Sequence, residues 1–168
     1  VLWISIATVL FGIPTLTQDA DSGEWKQAAP DYTLEFPRDH ASHPDYKIEW
    51  WYYTGNLRAM NGRLFGYQAT FFRVGVNRNP PNPSKWAVRD LYVTHLALTD
   101  IDSEQHFVAE RLNRAGIGLA GANPDRLEVW NEDWRVEVEG ERHVVRALDQ
   151  NEGFGVELSL LPEKPPVA

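Results

Sequence analysis

The densest group of residues that could do chemistry is the segment from Asp39 to Asp45, which reads DHASHPD. Its two histidines and two aspartates carry the donor atoms that a metal ion needs. The spacing of His40 and His43 matches no strong zinc motif, and a third ligand such as His95 would have to come from elsewhere. A loop before the first strand, whose side chains bind backbone groups, is the other interpretation. We therefore expect no metal and no cofactor.

Two single residues could act as a general acid or base. His95 lies within an apolar run, where its near-neutral pKa would suit proton transfer, although such a histidine is more often a packed core group. Glu49 precedes Trp50 and Trp51, and a carboxyl desolvated by those rings would have a raised pKa and could donate a proton. The alternative for Glu49 is a charge at a strand edge that faces water or pairs with Lys or Arg. No Gly-x-Ser-x-Gly motif occurs, so the catalytic residues stay unknown.

The elements that would position these residues are predicted to be β-strands. Ile48–Ala59 and Arg63–Val74 are rich in aromatic and β-branched residues and flank Asn61-Gly62, which favours a two-residue type I′ turn. Ser103–Asn113 comes closest to a helical pattern but is short and mixed. Alternating or apolar runs predict four further strands, at Leu91–Thr99, Trp134–Glu139, Arg142–Leu148 and Phe154–Leu161.

The aromatic run from Trp50 to Tyr53 places two rings on each face of its strand. One pair must therefore meet a ligand, a covering loop or a second domain, since a bare patch of this kind is unusual. A type I′ turn would pair Met60 with Arg63, and hence Trp51 with Phe72 and Tyr53 with Thr70. On that basis we predict one mixed polar and aromatic face that binds a ligand through Glu49, Trp51, Tyr53, Gln68, Thr70 and His95.

Composition limits the classes of function. The chain of 168 residues has no cysteine, which excludes disulfides, thiolate metal clusters and a thiol nucleophile. Its net charge of −8 repels phosphate backbones, so nucleic acid is not expected as a partner. Aromatic residues make up 12% of the chain, which suits β-sheet and surfaces for an apolar ligand.

The N-terminal region differs from the rest. Residues 1–18 are uncharged and mostly apolar, which predicts the remnant of a signal peptide or of a membrane segment. The expected location is therefore secreted or periplasmic, and a membrane segment at residues 1–18 would add membrane association at the N-terminus. Residues 19–33 are polar and are predicted to be a linker that precedes a folded domain at 34–162.

Several motifs resemble the lipocalin-like family of AttH-type secreted proteins, which also contains the carotenoid 1,2-hydratases (hydroxyneurosporene synthases). The motifs are FPRDH from Phe36, HPD from His43, EWWYYTG from Glu49, FGYQ from Phe65, TFFR from Thr70, THLALTD from Thr94 and KPP from Lys164. The resemblance implies an all-β fold, with an antiparallel lipocalin-like β-barrel or strongly curved meander as the first of two such units. Residues 163–168 would then begin a linker to the second unit.

The resemblance also implies a function. In the hydratases a carboxylic acid protonates a terminal isoprenoid double bond, near a W-x-D-H motif that this sequence lacks, so no catalytic acid is assigned here. The first hypothesis is an exported module that binds an apolar or amphiphilic, isoprenoid or lipid-like ligand. The alternatives are the N-terminal half of a cofactor-free carotenoid 1,2-hydratase and an accessory protein of a membrane transporter. The expected partners are an apolar small molecule and the second lipocalin-like unit.

Overall fold

The computed structural model describes residues 24–167, which form nine β-strands and one turn of 3₁₀ helix at Arg38–His40. The strands are β1 (Ile48–Arg58), β2 (Leu64–Gly75), β3 (Asp90–Asp100), β4 (Gln105–Arg114), β5 (Ala120–Ala122), β6 (Glu128–Asn131), β7 (Trp134–Glu139), β8 (Arg142–Asp149) and β9 (Phe154–Leu160). The predicted all-β class is confirmed. Residues 24–167 contain no helix of the length and apolarity that a membrane span requires. The predicted signal or membrane segment at 1–18 lies outside the described residues.

The strands form two antiparallel sheets in which every strand pairs with its neighbour along the chain. The first sheet has the order β1-β2-β3-β4 and the second the order β5-β6-β7-β8-β9. The sheets curve but do not close into one barrel, so the meander, rather than the closed barrel, describes the fold. One face of each sheet packs against the other sheet and forms the core.

The hairpin between β1 and β2 has a different turn from the one predicted. Ala59, not Met60, pairs with Arg63, and the Gly62 amide donates to the Ala59 carbonyl at 2.9 Å. Among the three loop residues, only Gly62 has a positive φ, at +90°. A type I′ turn needs positive φ at two residues, whereas a three-residue loop with a bulge needs it only at the glycine. The pairing is therefore shifted by one residue.

This shift changes which residues of β2 share a face with Trp51. Trp51 lies opposite Phe71, and Tyr53 opposite Ala69, instead of Phe72 and Thr70 as predicted. Because side chains alternate along a strand, a shift of one residue moves the whole set of β2 side chains to the other face. Phe71 and Ala69 are fully buried beneath the inner rings of β1.

Strand β4 occupies the segment that came closest to a helical pattern but was too short and mixed to predict a helix. Phe107 and Ala109 pack against the core, while Val108 and Leu112 point outward and are more than half exposed. Apolar residues on both faces blur the period of two, so the segment did not show the alternation of a strand with one buried face. Pairing with β3 over its whole length makes it a strand.

The core between the sheets is centred on Trp134, which is fully buried. Its indole nitrogen donates to the Leu148 carbonyl at 2.9 Å, and the Arg111 guanidinium lies 4.3 Å from the ring. Asn131 of β6 is also fully buried, and its amide donates to the Thr94 hydroxyl at 2.9 Å. This side chain links the second sheet to the first through a satisfied polar contact.

The described part of the predicted linker contacts the folded body. The Lys26 amide donates to the Asp45 carbonyl at 2.9 Å, and its ammonium lies 2.6 Å from the Asp45 carboxylate. The Trp25 ring lies over Gly75, where a Cβ atom would come within 2.3 Å of the ring. Gly75 is therefore needed for the close approach of this segment to β2.

Candidate functional site

An open cleft of about 540 Å³ lies where the segment around the 3₁₀ turn meets β1 and the start of β8. Its apolar wall includes Trp51 and Leu127, and its polar side chains include His40, Tyr53 and His143. The cleft gathers residues from three distant parts of the chain. Concave sites that combine apolar walls with a few polar groups are the usual places for small-molecule ligands.

Three polar side chains form a chain along the cleft. The Tyr53 hydroxyl and His143 Nδ1 are 3.0 Å apart, and the rings of His143 and His40 meet edge-on with centroids 5.2 Å apart. Burial raises the pKa of the Tyr53 phenol, so it stays protonated. Burial lowers the pKa of both imidazoles, and for His143 the nearby His40 lowers it further. At neutral pH this chain of groups therefore carries no charge.

Trp51 connects the strand to the loop that borders the cleft. Its side chain packs against the core, and its indole nitrogen donates to the His40 carbonyl at 3.0 Å. The His40 ring in turn lies 4.4 Å from the ring of Phe36. These contacts fix the position of the His40 ring relative to β1.

Glu49 is the centre of a hydrogen-bonded cluster at one end of the cleft. Its carboxylate accepts from the Ser42 hydroxyl at 2.9 Å and from the His43 amide at 2.8 Å, and lies 2.7 Å from His43 Nδ1. Arg73, whose side chain is almost completely buried, donates to it at 3.2 Å and to Asp90 at 2.9 Å. This geometry agrees with the second interpretation of Glu49, a carboxylate paired with Arg, rather than with a desolvated acid.

The Asp39–Asp45 segment is held as a structural loop. The Arg38 guanidinium beside Asp39 holds the pKa of that carboxyl well below its usual range, and the Glu35 amide also donates to it at 2.7 Å. Asp39 is therefore an anion with its partners already in place. Within residues 24–167, no three His, Cys, Asp or Glu side chains are arranged to hold a metal ion.

The six residues predicted to bind a ligand do not form one site. Glu49, Trp51 and Tyr53 line the cleft. Gln68, Thr70 and His95 lie on the opposite face of the first sheet, in cross-strand rows with Thr54 and Tyr52. His95 is partly exposed, and its Nε2 lies 2.7 Å from the Glu110 carboxylate, so it is not a core histidine.

Sequence reasoning did not identify His143 as part of the site, because it lies 90 residues from Tyr53 and no local motif surrounds it. His40 was predicted to be either a metal ligand or part of a structural loop, and not a residue of a ligand-binding cleft. The position of His143 near the start of the predicted strand Arg142–Leu148 was the one available signal.

The fold and the cleft together define an all-β protein of the lipocalin-like type. The sequence profile of the AttH-like family matches residues 27–168, so the chain belongs to that family, as its motifs predicted. A crystal structure of a protein from Nitrosomonas europaea, described as an AttH, is similar over 83% of this chain, with 32% identity and a TM-score of 0.71. The chain spans only 41% of the length of that protein. A comparison with curated proteins gave no match.

Proposed function

We propose that this chain is a lipocalin-like module that binds an amphiphilic, isoprenoid or lipid-like ligand in the cleft beside β1. The observation that supports this most is the meeting of an apolar wall, formed by Trp51 and Leu127, with the uncharged polar chain Tyr53–His143–His40. The hydrocarbon part of the ligand would lie against the apolar wall. Its polar end would bind the imidazole or phenol groups.

The charge state of these groups favours a ligand with a neutral polar end, such as a hydroxyl or carbonyl. Lowered imidazole pKa values leave no cation in the Tyr53–His143–His40 chain to attract a carboxylate at neutral pH. The net charge of −8 further disfavours anionic ligands. A neutral imidazole has one nitrogen that donates a hydrogen bond and one that accepts, so it can bind a hydroxyl either as donor or as acceptor.

Binding is favoured over hydration by the state of the two carboxylates at the cleft. Protonating a carbon–carbon double bond needs an acid that is kept protonated by apolar surroundings. Asp39 is held as an anion by Arg38, and Glu49 accepts bonds from Arg73, Ser42 and the His43 amide. The hydratase alternative therefore needs a catalytic acid other than Asp39 and Glu49. Export and a transporter partner were predicted from residues 1–18, and both stay predictions.

Retinol is a suitable probe, because it is an isoprenoid alcohol and accepts energy from tryptophan fluorescence. Titration of the chain with retinol should give saturable energy transfer. His143→Gln should weaken binding by about fivefold, which corresponds to the loss of one hydrogen bond of about 1 kcal/mol. His106→Gln, which changes an exposed histidine elsewhere in the first sheet, is the matched control and should have no effect.

Two results would contradict the proposal. Retinol affinity that is the same in the original chain, His143→Gln and Tyr53→Phe would place binding outside the cleft. A hydroxylated product after incubation with lycopene would make the chain an enzyme, and loss of that product in Glu49→Gln would place the acid in the cleft.

A further inference from the structure

Two loops at one end of the first sheet combine exposed apolar side chains with cations. The first loop, residues 76–89, connects β2 to β3, and the second, residues 115–119, follows Arg114 at the end of β4. The two loops touch, because a Cβ atom on Gly116 would come within 2.5 Å of the Lys85 carbonyl oxygen. Residues 76–89 and 114–119 together are here called the basic loop pair.

The charge of the basic loop pair is opposite in sign to that of the whole chain. The net charge is −8, yet the sequence from residue 50 to residue 89 contains six Lys or Arg and no Asp or Glu. The cations of the basic loop pair are Arg78, Lys85, Arg89 and Arg114, and residues 115–119 are uncharged. Salt at physiological concentration screens charges beyond about 8 Å, so the local charge decides which ligand this surface attracts.

Three of these cations are available to bind an external anion. Within residues 24–167, no carboxylate forms an ion pair with Lys85, Arg89 or Arg114. The acid that follows Arg89 in the sequence, Asp90, lies 2.9 Å from Arg73 instead. Lys85 and Arg89 are also exposed to solvent.

Large apolar side chains lie exposed on the same two loops. The exposed fractions are 53% for Val76, 61% for Trp86, 48% for Ile117 and 39% for Leu119. The Arg114 guanidinium lies 5.0 Å from the centre of the Trp86 ring and donates to the Trp86 carbonyl at 2.8 Å. These contacts hold the indole at the surface, beside the cations.

The backbone of the second loop presents Ile117 in a conformation that β-branched residues rarely adopt. Ile117 has a φ of +50°, between Gly116 at +100° and Gly118 at +81°. In this left-handed region a Cβ atom approaches the backbone too closely, so the residue is strained. Strained residues are concentrated at functional sites, and here the strained residue exposes an apolar side chain to water.

The surface of a bilayer with anionic phospholipids matches this combination of groups. Lipid phosphates attract Lys and Arg, and Trp is enriched at the boundary between headgroups and acyl chains. A nucleic acid would bind the cations through its phosphates but would offer little to Ile117 and Leu119. A fluid bilayer takes up both kinds of side chain and needs no complementary shape.

The N-terminal segment reaches the fold at the same place. The described residues begin at Glu24, whose carbonyl accepts a hydrogen bond from Arg78 of the first loop. The neighbouring Trp25 ring lies over Gly75 at the end of β2. The apolar residues 1–18 are therefore joined to the fold beside the basic loop pair.

We propose that the basic loop pair docks on the surface of a bilayer that contains anionic phospholipids. Lys85 and Arg89 bind the lipid phosphates. The side chains of Trp86, Ile117 and Leu119 lie between the headgroups. This contact is separate from any membrane segment in residues 1–18, and it does not depend on the ligand proposed for the cleft.

Docking in this orientation also has a consequence for the cleft. Glu49, at one end of the cleft, pairs with Arg73 in the β1–β2 register, three residues before the first loop begins. This end of the cleft and the basic loop pair therefore lie at the same end of the first sheet. A lipid-like ligand would reach the cleft from the bilayer over a short distance.

Sedimentation with vesicles tests the proposal on the 168-residue chain. The chain should bind vesicles of phosphatidylglycerol and phosphatidylcholine more tightly than vesicles of phosphatidylcholine alone. Lys85→Gln/Arg89→Gln should weaken binding to the mixed vesicles about 25-fold, since each Lys or Arg near an anionic surface strengthens binding about fivefold. Arg58→Gln/Arg142→Gln is the matched control, because it removes the same charge from exposed positions outside the basic loop pair. It should leave the affinity unchanged.

A fluorescent label measures the contact with lipid directly. The chain has no cysteine, so Leu119→Cys and Met60→Cys each create a single labelling site. Met60 is the control, because it is fully exposed in the β1–β2 loop at the opposite end of the first sheet. A polarity-sensitive label at position 119 should become brighter when mixed vesicles are added, whereas a label at position 60 should not change.

Four results would overturn the proposal. Failure to bind the mixed vesicles would mean that this surface does not dock on anionic lipid. Equal binding by the original chain and Lys85→Gln/Arg89→Gln would mean that these cations contact no phosphate. Binding to vesicles without a response at position 119 would assign membrane contact to residues 1–18. Equal affinity for double-stranded DNA and the mixed vesicles would identify a general phosphate-binding surface instead.

Discussion

Replacing Glu49 with Gln removes the negative charge that faces the almost completely buried guanidinium of Arg73. Gln keeps the shape of Glu, so the change tests the charge and its hydrogen bonds rather than packing. Three donors that bind the carboxylate, from Ser42, His43 and Arg73, would then meet a neutral amide. We expect Glu49→Gln to destabilise the fold.

The expected loss follows from the contacts of Arg73. Breaking a buried ion pair by removing one partner costs about 3–5 kcal/mol when the other charge is left without a partner. Arg73 keeps Asp90 at 2.9 Å and the carbonyls of His43 and Tyr46 at 3.0 and 2.7 Å. The loss should therefore lie below that range, at about 2–3 kcal/mol, or roughly 5–10 °C in Tm for a domain of this size.

Urea unfolding followed by tryptophan fluorescence measures this loss. Glu110→Gln is the matched control, because Glu110 also pairs with a histidine but is mostly exposed. It should change the free energy of unfolding by less than about 0.5 kcal/mol. A Glu49→Gln variant as stable as the original chain would refute the structural role of this carboxylate. Glu49 would then again be a candidate for a proton-donating acid.

Three further predictions concern the core, a turn and the cleft histidines. Trp134→Ala should cost about 3–5 kcal/mol in urea unfolding, because the ring is fully buried, and a loss below 1 kcal/mol would contradict its central place. Gly62→Val should cost about 1–2 kcal/mol, since Gly62 has φ +90°, while Met60→Val in the same exposed loop should cost much less. Burial holds the pKa of His143 below its usual 6.5, so the unfolded chain binds the proton first and stability falls as the pH drops below 6.5. His143→Gln should reduce this loss of stability, whereas His106→Gln should leave it unchanged. The measurement is the Tm of each protein between pH 8 and pH 5. The same change of Tm with pH in the original chain and both variants would exclude His143 as a cause.

Much of the strand pattern could be predicted from the sequence, because alternation is visible wherever one face is buried. Trp134–Glu139 coincides with β7, and the two rings on each face of Trp50–Tyr53 are present as predicted. The β1–β2 register was wrong by one residue, since Asn61-Gly62 fits both a two-residue and a three-residue loop. Nothing local to the dipeptide distinguishes the two, and the choice depends on which β2 side chains the core accepts.

The candidate site was harder to predict than the strands. The side of β1 that lines the cleft was predicted through Glu49, Trp51 and Tyr53. His143 comes from the other sheet, and its approach to Tyr53 depends on how the two sheets pack. Such a contact has no signature in a single sequence, because neither residue constrains the type of its immediate neighbours.

The strictly sequential strand order described above has a consequence for folding kinetics. Each strand pairs only with its chain neighbour, so both sheets close short loops before they meet. We therefore expect folding to be faster than for Greek-key sandwiches of similar length, with docking of the sheets as the late step. The Asn131 amide, which donates to Thr94 across the sheets, would form its bonds after the transition state. Asn131→Leu should then accelerate unfolding and leave the folding rate unchanged in stopped-flow measurements, and a slower folding limb would show that the sheets dock early.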